Sequence, residues 1–115
     1  MNRYYSKNKY KNTSCYCDGI KFQSKKEADY YLKLKMLLKS GVIRDLELQK
    51  EYILQDSFKL NKKTRRKISY IADFTYFSTS DDKLHIVDVK GFKTEIYKLK
   101  KKLFEYKYGI EIEEV

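Results

Sequence analysis

The chain has 115 residues, a net charge of +10, a pI near 9.5, 12 Tyr and neither Pro nor Trp. That length supports a single modest core that buries roughly 65% of the unfolded surface, and the basic excess points to a polyanionic partner, nucleic acid first, over a merely well-hydrated surface. No apolar run reaches the roughly 18 residues of a membrane span and no apolar stretch follows Met1 as in a secretory signal, so a cytoplasmic protein without membrane contact is expected.

Residues 1–14 carry Arg3, Lys7, Lys9 and Lys11 with no acid, interleaved with Tyr4, Tyr5 and Tyr10. They read as a flexible basic arm, either lying along phosphates with rings on exposed bases or serving as a solubilising terminus. One domain is expected over 15–115. Segments 14–17 and 20–22 flank Asp18-Gly19, a two-residue hairpin signal. Cys15 and Cys17 share a strand face and read as packing, since zinc sites need more ligands and redox motifs favour a C-x-x-C spacing.

Ser24-Lys25-Lys26-Glu27 fits a capping box, which predicts a helix to about Ser40 with Gly41 beyond its end. Glu27 lies in line with Tyr31, Leu34 and Leu38, the middle of the apolar stripe, so an acid is set inward at the start of the helix. A cap and a functional carboxylate are compatible readings of it. Residues 42–55 read as an alternating strand with Leu46 and Leu48 on one side and Glu47, Gln49 and Glu51 on the other. Gln49 faces either solvent, the simpler reading, or a site.

A second strand to about Leu60 and a turn over 61–64 follow. Around that turn stand Lys59, Lys62, Lys63, Arg65, Arg66 and Lys67, with no acid between Ser57 and Ala72. Such a tip repels itself unless solvated or bound to phosphate, so Lys62, Lys63, Arg65 and Arg66 are candidate DNA contacts. Residues 68–77 and 83–90 are rich in aromatic and β-branched side chains, and the turn residues 78–82 join them. A symmetric hairpin pairs residue i with residue 161 − i. Asp73 then stands opposite Asp88, with Lys90 on the same face. Two opposed carboxylates destabilise a sheet, and a hard divalent cation compensates them directly; the alternative is a surface pair with Lys90 as counter-ion. Ala72, Phe74 and Tyr76 against Val89, Val87 and His85 make a packing face.

Past Gly91, Thr94 is a candidate N-cap for a helix over 95–108 that should bury Ile96, Leu99, Leu103 and Tyr106 at 3-4-3 spacing. Lys98, Lys100, Lys101 and Lys102 would face outward, either solvated or, for Lys98 and Lys101 above all, toward DNA. Gly109 ends the helix and residues 110–115 form a last strand. No repeat and no linker interrupts the chain.

Asp73 followed by Asp88-Val89-Lys90 resembles the D…(D/E)-x-K signature of the PD-(D/E)XK nuclease superfamily, with Ala72 where that family has Pro. The segments DGIKFQSKKEADYYLKLKMLLKSGVIRDLELQ and YIADFTYF…HIVDVKGFKTEIYKLKKKLFEYKYG are similar to a small phage and prophage family of this superfamily, over nearly the whole chain after about residue 10. The element order, an α/β (α+β) arrangement of hairpin, helix, three strands, helix and strand, contains the αβββαβ core of the restriction-endonuclease-like fold. The resemblance implies a Mg²⁺- or Mn²⁺-dependent DNA endonuclease. Asp73, Asp88 and the Val89 carbonyl would hold the metal, Glu27 on the first helix would complete the site, and Lys90 would neutralise developing charge. A further likeness to junction resolvases, which are small, basic and dimeric, implies structure-specific cleavage and admits a homodimer. The competing class is a non-catalytic phage factor that grips DNA or a host protein with the same fold.

Overall fold

The computed structural model describes residues 14–115; the basic arm read over 1–14 lies almost wholly outside them. The chain divides after Gly41 into two units, Met1–Gly41 and Val42–Val115. In the first, β1 (Cys15–Cys17) and β2 (Ile20–Phe22) pair antiparallel across Asp18 and Gly19. Both turn residues have left-handed backbone, φ 53 and 76, the conformation of a two-residue turn whose twist matches the strands.

Helix α1 (Lys25–Lys39) starts as the sequence predicts. Ser24 is the N-cap and its hydroxyl accepts the Glu27 backbone N–H at 3.1 Å. The return bond differs from a capping box: Glu27 Oε1 accepts the N–H of Gln23 at 3.0 Å, one residue before the cap. Glu27, Ala28, Tyr31 and Leu34 are buried, while Leu38, read as part of the stripe, is exposed. Tyr31 stacks at a tilt on Phe22, with ring centroids 5.1 Å apart, and its hydroxyl donates to Asp18. Cys15 and Cys17 are free, half-buried thiols.

The second unit holds a mixed four-stranded sheet, so the fold is α+β. Its strands are β3 (Ile43–Gln55), β6 (Ile68–Ser78), β7 (Leu84–Asp88) and β8 (Ile112–Glu114), side by side in that order. The first two pairings are antiparallel and the last parallel. The β6–β7 register runs Phe74↔Val87, Thr75↔Ile86, Tyr76↔His85 and Phe77↔Leu84, each pair summing to 161 as the symmetric turn predicts. A hairpin, β4 (Phe58–Leu60) with β5 (Lys63–Arg65), stands apart between β3 and β6. Its turn is only Asn61-Lys62, both with left-handed backbone, so the broader turn read over 61–64 contains the start of a strand.

Helix α2 (Glu95–Tyr108) has the predicted bounds, with Thr94 capping Tyr97 N–H and Gly109 in left-handed backbone at its end. Its buried face is not the predicted one. Ile96, Leu99, Leu103 and Tyr106 are exposed, and Tyr97 and Phe104 are buried instead. Phe104 packs with Tyr70, Ala72, Ile86 and Ile112 of the sheet, and Tyr52 meets its ring edge-on at 5.1 Å. Large rings complementary to the tyrosine-lined sheet outcompete the smaller aliphatic stripe, since buried area sets the hydrophobic gain.

Candidate active site

Asp88 is the last residue of β7, and the parallel ladder runs on past it. Val115 N–H donates to Asp88 O at 3.0 Å, and Lys90 N–H to Val115 O at 3.1 Å. The backbone of the Asp-Val-Lys triplet is therefore held by β8. The Asp88 side chain is 2% exposed. Tyr70, itself buried, donates its hydroxyl to Asp88 Oδ2 at 2.5 Å. Asp88 Oδ1 is ion-paired with the Lys90 ammonium at 3.0 Å. Burial raises the Asp88 carboxyl above its usual range; the neighbouring Asp73 charge adds to this, against the Tyr70 hydrogen bond and Lys90.

Lys90 also sits 4.3 Å over the Tyr97 ring. Tyr97 is fixed in turn by its hydroxyl, which donates to Glu114 Oε2 at 2.8 Å. Lys93 and Lys101 close on the same carboxylate at 2.9 and 3.4 Å. Hydrogen bonds from Lys93, Tyr97 and Lys101 pull the Glu114 carboxyl down to about 2. Burial, then the bond to Glu114, pushes the Tyr97 phenol up, so it stays a donor. Tyr70, Asp88, Lys90, Ile96, Tyr97 and Lys100 are among the residues lining a shallow cleft of about 270 Å³.

Asp73 lies one position beyond the last β6–β7 ladder pair, and its carboxylate is engaged twice. Oδ2 accepts the Val89 backbone N–H at 2.8 Å and Oδ1 accepts the Gln49 amide at 3.3 Å. Asp73 lies outside the lining of the cleft. Gln49 is exposed, as the simpler reading expects, yet it also touches a predicted site residue. Its backbone is left-handed, φ 53, within a strand. Such a conformation costs a non-glycine residue about 1 kcal/mol or more, and strain of this kind gathers at functional positions.

The structure thus brings Asp88 and Lys90 into contact and ties Asp73 to Val89 between them. Glu27 belongs to the other unit, where Gln23 N–H is one of its partners. Among the described residues no three His, Cys, Asp or Glu side chains are grouped to hold a metal. Two carboxylates and a main-chain carbonyl suit Mg²⁺ or Mn²⁺, which keep several waters and need one or two protein carboxylates, better than an ion that requires a full protein cage. The buried Asp88 carboxylate, already facing one positive charge, fits such a cation.

Lys62, Lys63, Arg65 and Arg66 are all exposed on the β4–β5 hairpin and its exit. Lys98 is exposed and pairs with Glu95 at 3.1 Å. Lys101, read as outward, is half-buried against Glu114. Tyr70 and Tyr97 were not singled out from the sequence. The available signal is that a buried tyrosine seeks a partner for its hydroxyl, and a carboxylate in the same hairpin supplies one.

A family model described as "Protein of unknown function (DUF1064)" matches residues 7–113, and the chain belongs to that family. No curated protein and no solved structure matches it.

Proposed function

We propose that this DUF1064 chain is a metal-dependent DNA endonuclease built on the αβββαβ core of the restriction-endonuclease-like fold, a PD-(D/E)XK nuclease of phage type. The observation that carries the reading is the Asp88 carboxylate, buried at the end of β7 with one oxygen tied by Tyr70 and the other 3.0 Å from the Lys90 ammonium. A buried carboxylate is costly unless it is paired, and positive charge supplies that pairing. Sheet order and direction, antiparallel, antiparallel and then parallel through α2, support the fold assignment.

Asp73 and Asp88 would hold Mg²⁺ or Mn²⁺ with the Val89 carbonyl, and the resemblance adds Glu27 as a candidate ligand. A bound divalent ion supplies a water of lowered pKa and a Lewis acid at the phosphate. The protein's own groups do the rest. Lys90, held by Asp88 and Tyr97, presents a fixed ammonium to charge developing on the phosphate oxygens during in-line hydrolysis. Val89 N–H and Gln49 orient Asp73. The exposed Lys62, Lys63, Arg65 and Arg66 would follow phosphates away from the chemistry.

The second reading, a binding factor without catalysis, is favoured by the apolar stripe that α2 leaves exposed at Ile96, Leu99, Leu103 and Tyr106. Incubation with plasmid, linear and four-way-junction DNA, with and without Mg²⁺ and Mn²⁺, separates the two. Metal-dependent nicking or cleavage is the expected result, with preference for the junction pointing to a structure-specific resolvase. Binding without cleavage on all three substrates would favour the second reading.

A further inference from the structure

We propose that Tyr70 is the positioning residue of this site: its buried hydroxyl holds the Asp88 carboxylate in the orientation that leaves one oxygen for a divalent cation. The inference rests on the metal-site reading above.

A phenol has one proton to give, so it ties one carboxylate oxygen and no more. Tyr70 gives that proton to Asp88 Oδ2 at 2.5 Å, the short end of the range for a hydroxyl on a charged acceptor. The ring cannot swing away. Tyr70 is 3% exposed, stands directly across the ladder from Tyr52, and packs 5.4 Å from the Phe104 ring. The other cleft tyrosine does a different job, because the Tyr97 hydroxyl is committed to Glu114 and its ring carries Lys90. Oδ1 is the oxygen left to meet positive charge, and the Lys90 ammonium stands 3.0 Å from it. Outer partners that orient a ligating carboxylate are worth about 10–100-fold in metal affinity.

The test is calorimetric titration of the full chain with Mn²⁺ alone, without DNA. Tyr70→Phe keeps the ring and removes the hydroxyl. It should bind Mn²⁺ about 10–100-fold more weakly, and its DNA cleavage should recover toward wild type as Mn²⁺ is raised. Tyr52→Phe is the control. It lies in the same aromatic cluster, and the hydrogen bond to Asp88 comes from Tyr70, so its Mn²⁺ affinity should match wild type. In an Asp88→Asn background, Tyr70→Phe should add no further loss. Wild-type Mn²⁺ affinity in Tyr70→Phe would make the hydroxyl structural and overturn the proposal. Absence of Mn²⁺ binding by the wild-type chain would remove the metal site itself and the proposal with it. If Tyr70→Phe does not fold in buffer, the same titration in trimethylamine oxide, which favours the compact state, decides between these results.

Discussion

The Asp73 carboxylate accepts the backbone N–H of Val89 at 2.8 Å, joining β6 to the Asp-Val-Lys triplet just past the last ladder pair. Asp73 is therefore a structural brace as well as a candidate ligand, and its substitutions should differ. Asp73→Asn retains an acceptor oxygen for Val89 N–H. Asp73→Ala leaves that donor unpaired and should cost about 1–3 kcal/mol. Urea denaturation in EDTA should rank Asn above Ala, while both lose metal-dependent cleavage. Equal stability would show that the bond to Val89 contributes nothing.

Glu27→Gln separates a helix cap from a metal ligand. The Gln23 N–H needs only an oxygen, which Gln supplies, so metal-free stability should stay within about 0.5 kcal/mol. Removing the N-cap acceptor with Ser24→Ala should cost about 1 kcal/mol, which calibrates the helix end. A site that counts charge treats Gln differently, so the melting-temperature rise on adding Mn²⁺ should shrink. A wild-type rise in Glu27→Gln would leave Glu27 as a cap only.

The β4–β5 hairpin should act through phosphates. Each contact released contributes about 0.9 to the slope of log affinity against log salt. Replacing Lys62, Lys63, Arg65 and Arg66 together with Gln should flatten that slope by up to about 3–4 units. An unchanged slope would take the hairpin off the DNA.

His85 should make stability depend on pH. Its ring stacks on Tyr76, and its nitrogens meet Glu113 at 2.5 Å and Asp81 at 3.1 Å. Burial opposes the charged ring, but the two carboxylates outweigh it and raise the imidazole above its ordinary value. A raised folded value means stabilisation that is complete below about pH 6.5 and lost as pH rises through the folded value. Asp81 is held below the usual carboxylate range by the Lys83 backbone N–H and by His85, so its share is lost as pH falls through that lowered value. His85→Phe keeps the ring stack and removes the charge. Its deficit relative to wild type should be larger at pH 5.5 than at pH 9 in urea denaturation. A deficit independent of pH would show that stacking alone matters.

Local signals fixed by backbone chemistry were legible in the sequence. The Asp18-Gly19 turn, the Ser24 and Thr94 caps, Gly109 and the β6–β7 register each follow from a few adjacent residues. The inward face of α2 was not. Ile96, Leu99, Leu103 and Tyr106 make the more apolar stripe on paper, but Tyr97, Lys101, Phe104 and Tyr108 have helical spacing too. Lys101 disguises that second stripe, since its charge reads as solvent-facing while its ammonium reaches Glu114. Which stripe wins depends on Tyr52, Tyr70 and Ile112, brought together from distant parts of the chain. Asp88 and Lys90 were legible as a motif. Their anchoring by Tyr70 and Tyr97 depends on tertiary packing, and the left-handed backbone of Gln49 has no sequence mark.

Cleavage of a supercoiled plasmid in Mg²⁺ or Mn²⁺ by wild type, Asp88→Ala and Lys90→Ala, beside DNA binding measured in EDTA, tests the nuclease reading most directly. Wild type should convert the plasmid to nicked or linear product only with metal. Both variants should fall by 100-fold or more, on the order expected when a charge-stabilising group is removed, with DNA affinity little changed. Equal cleavage by wild type and either folded variant, or none by wild type with any metal, would contradict it.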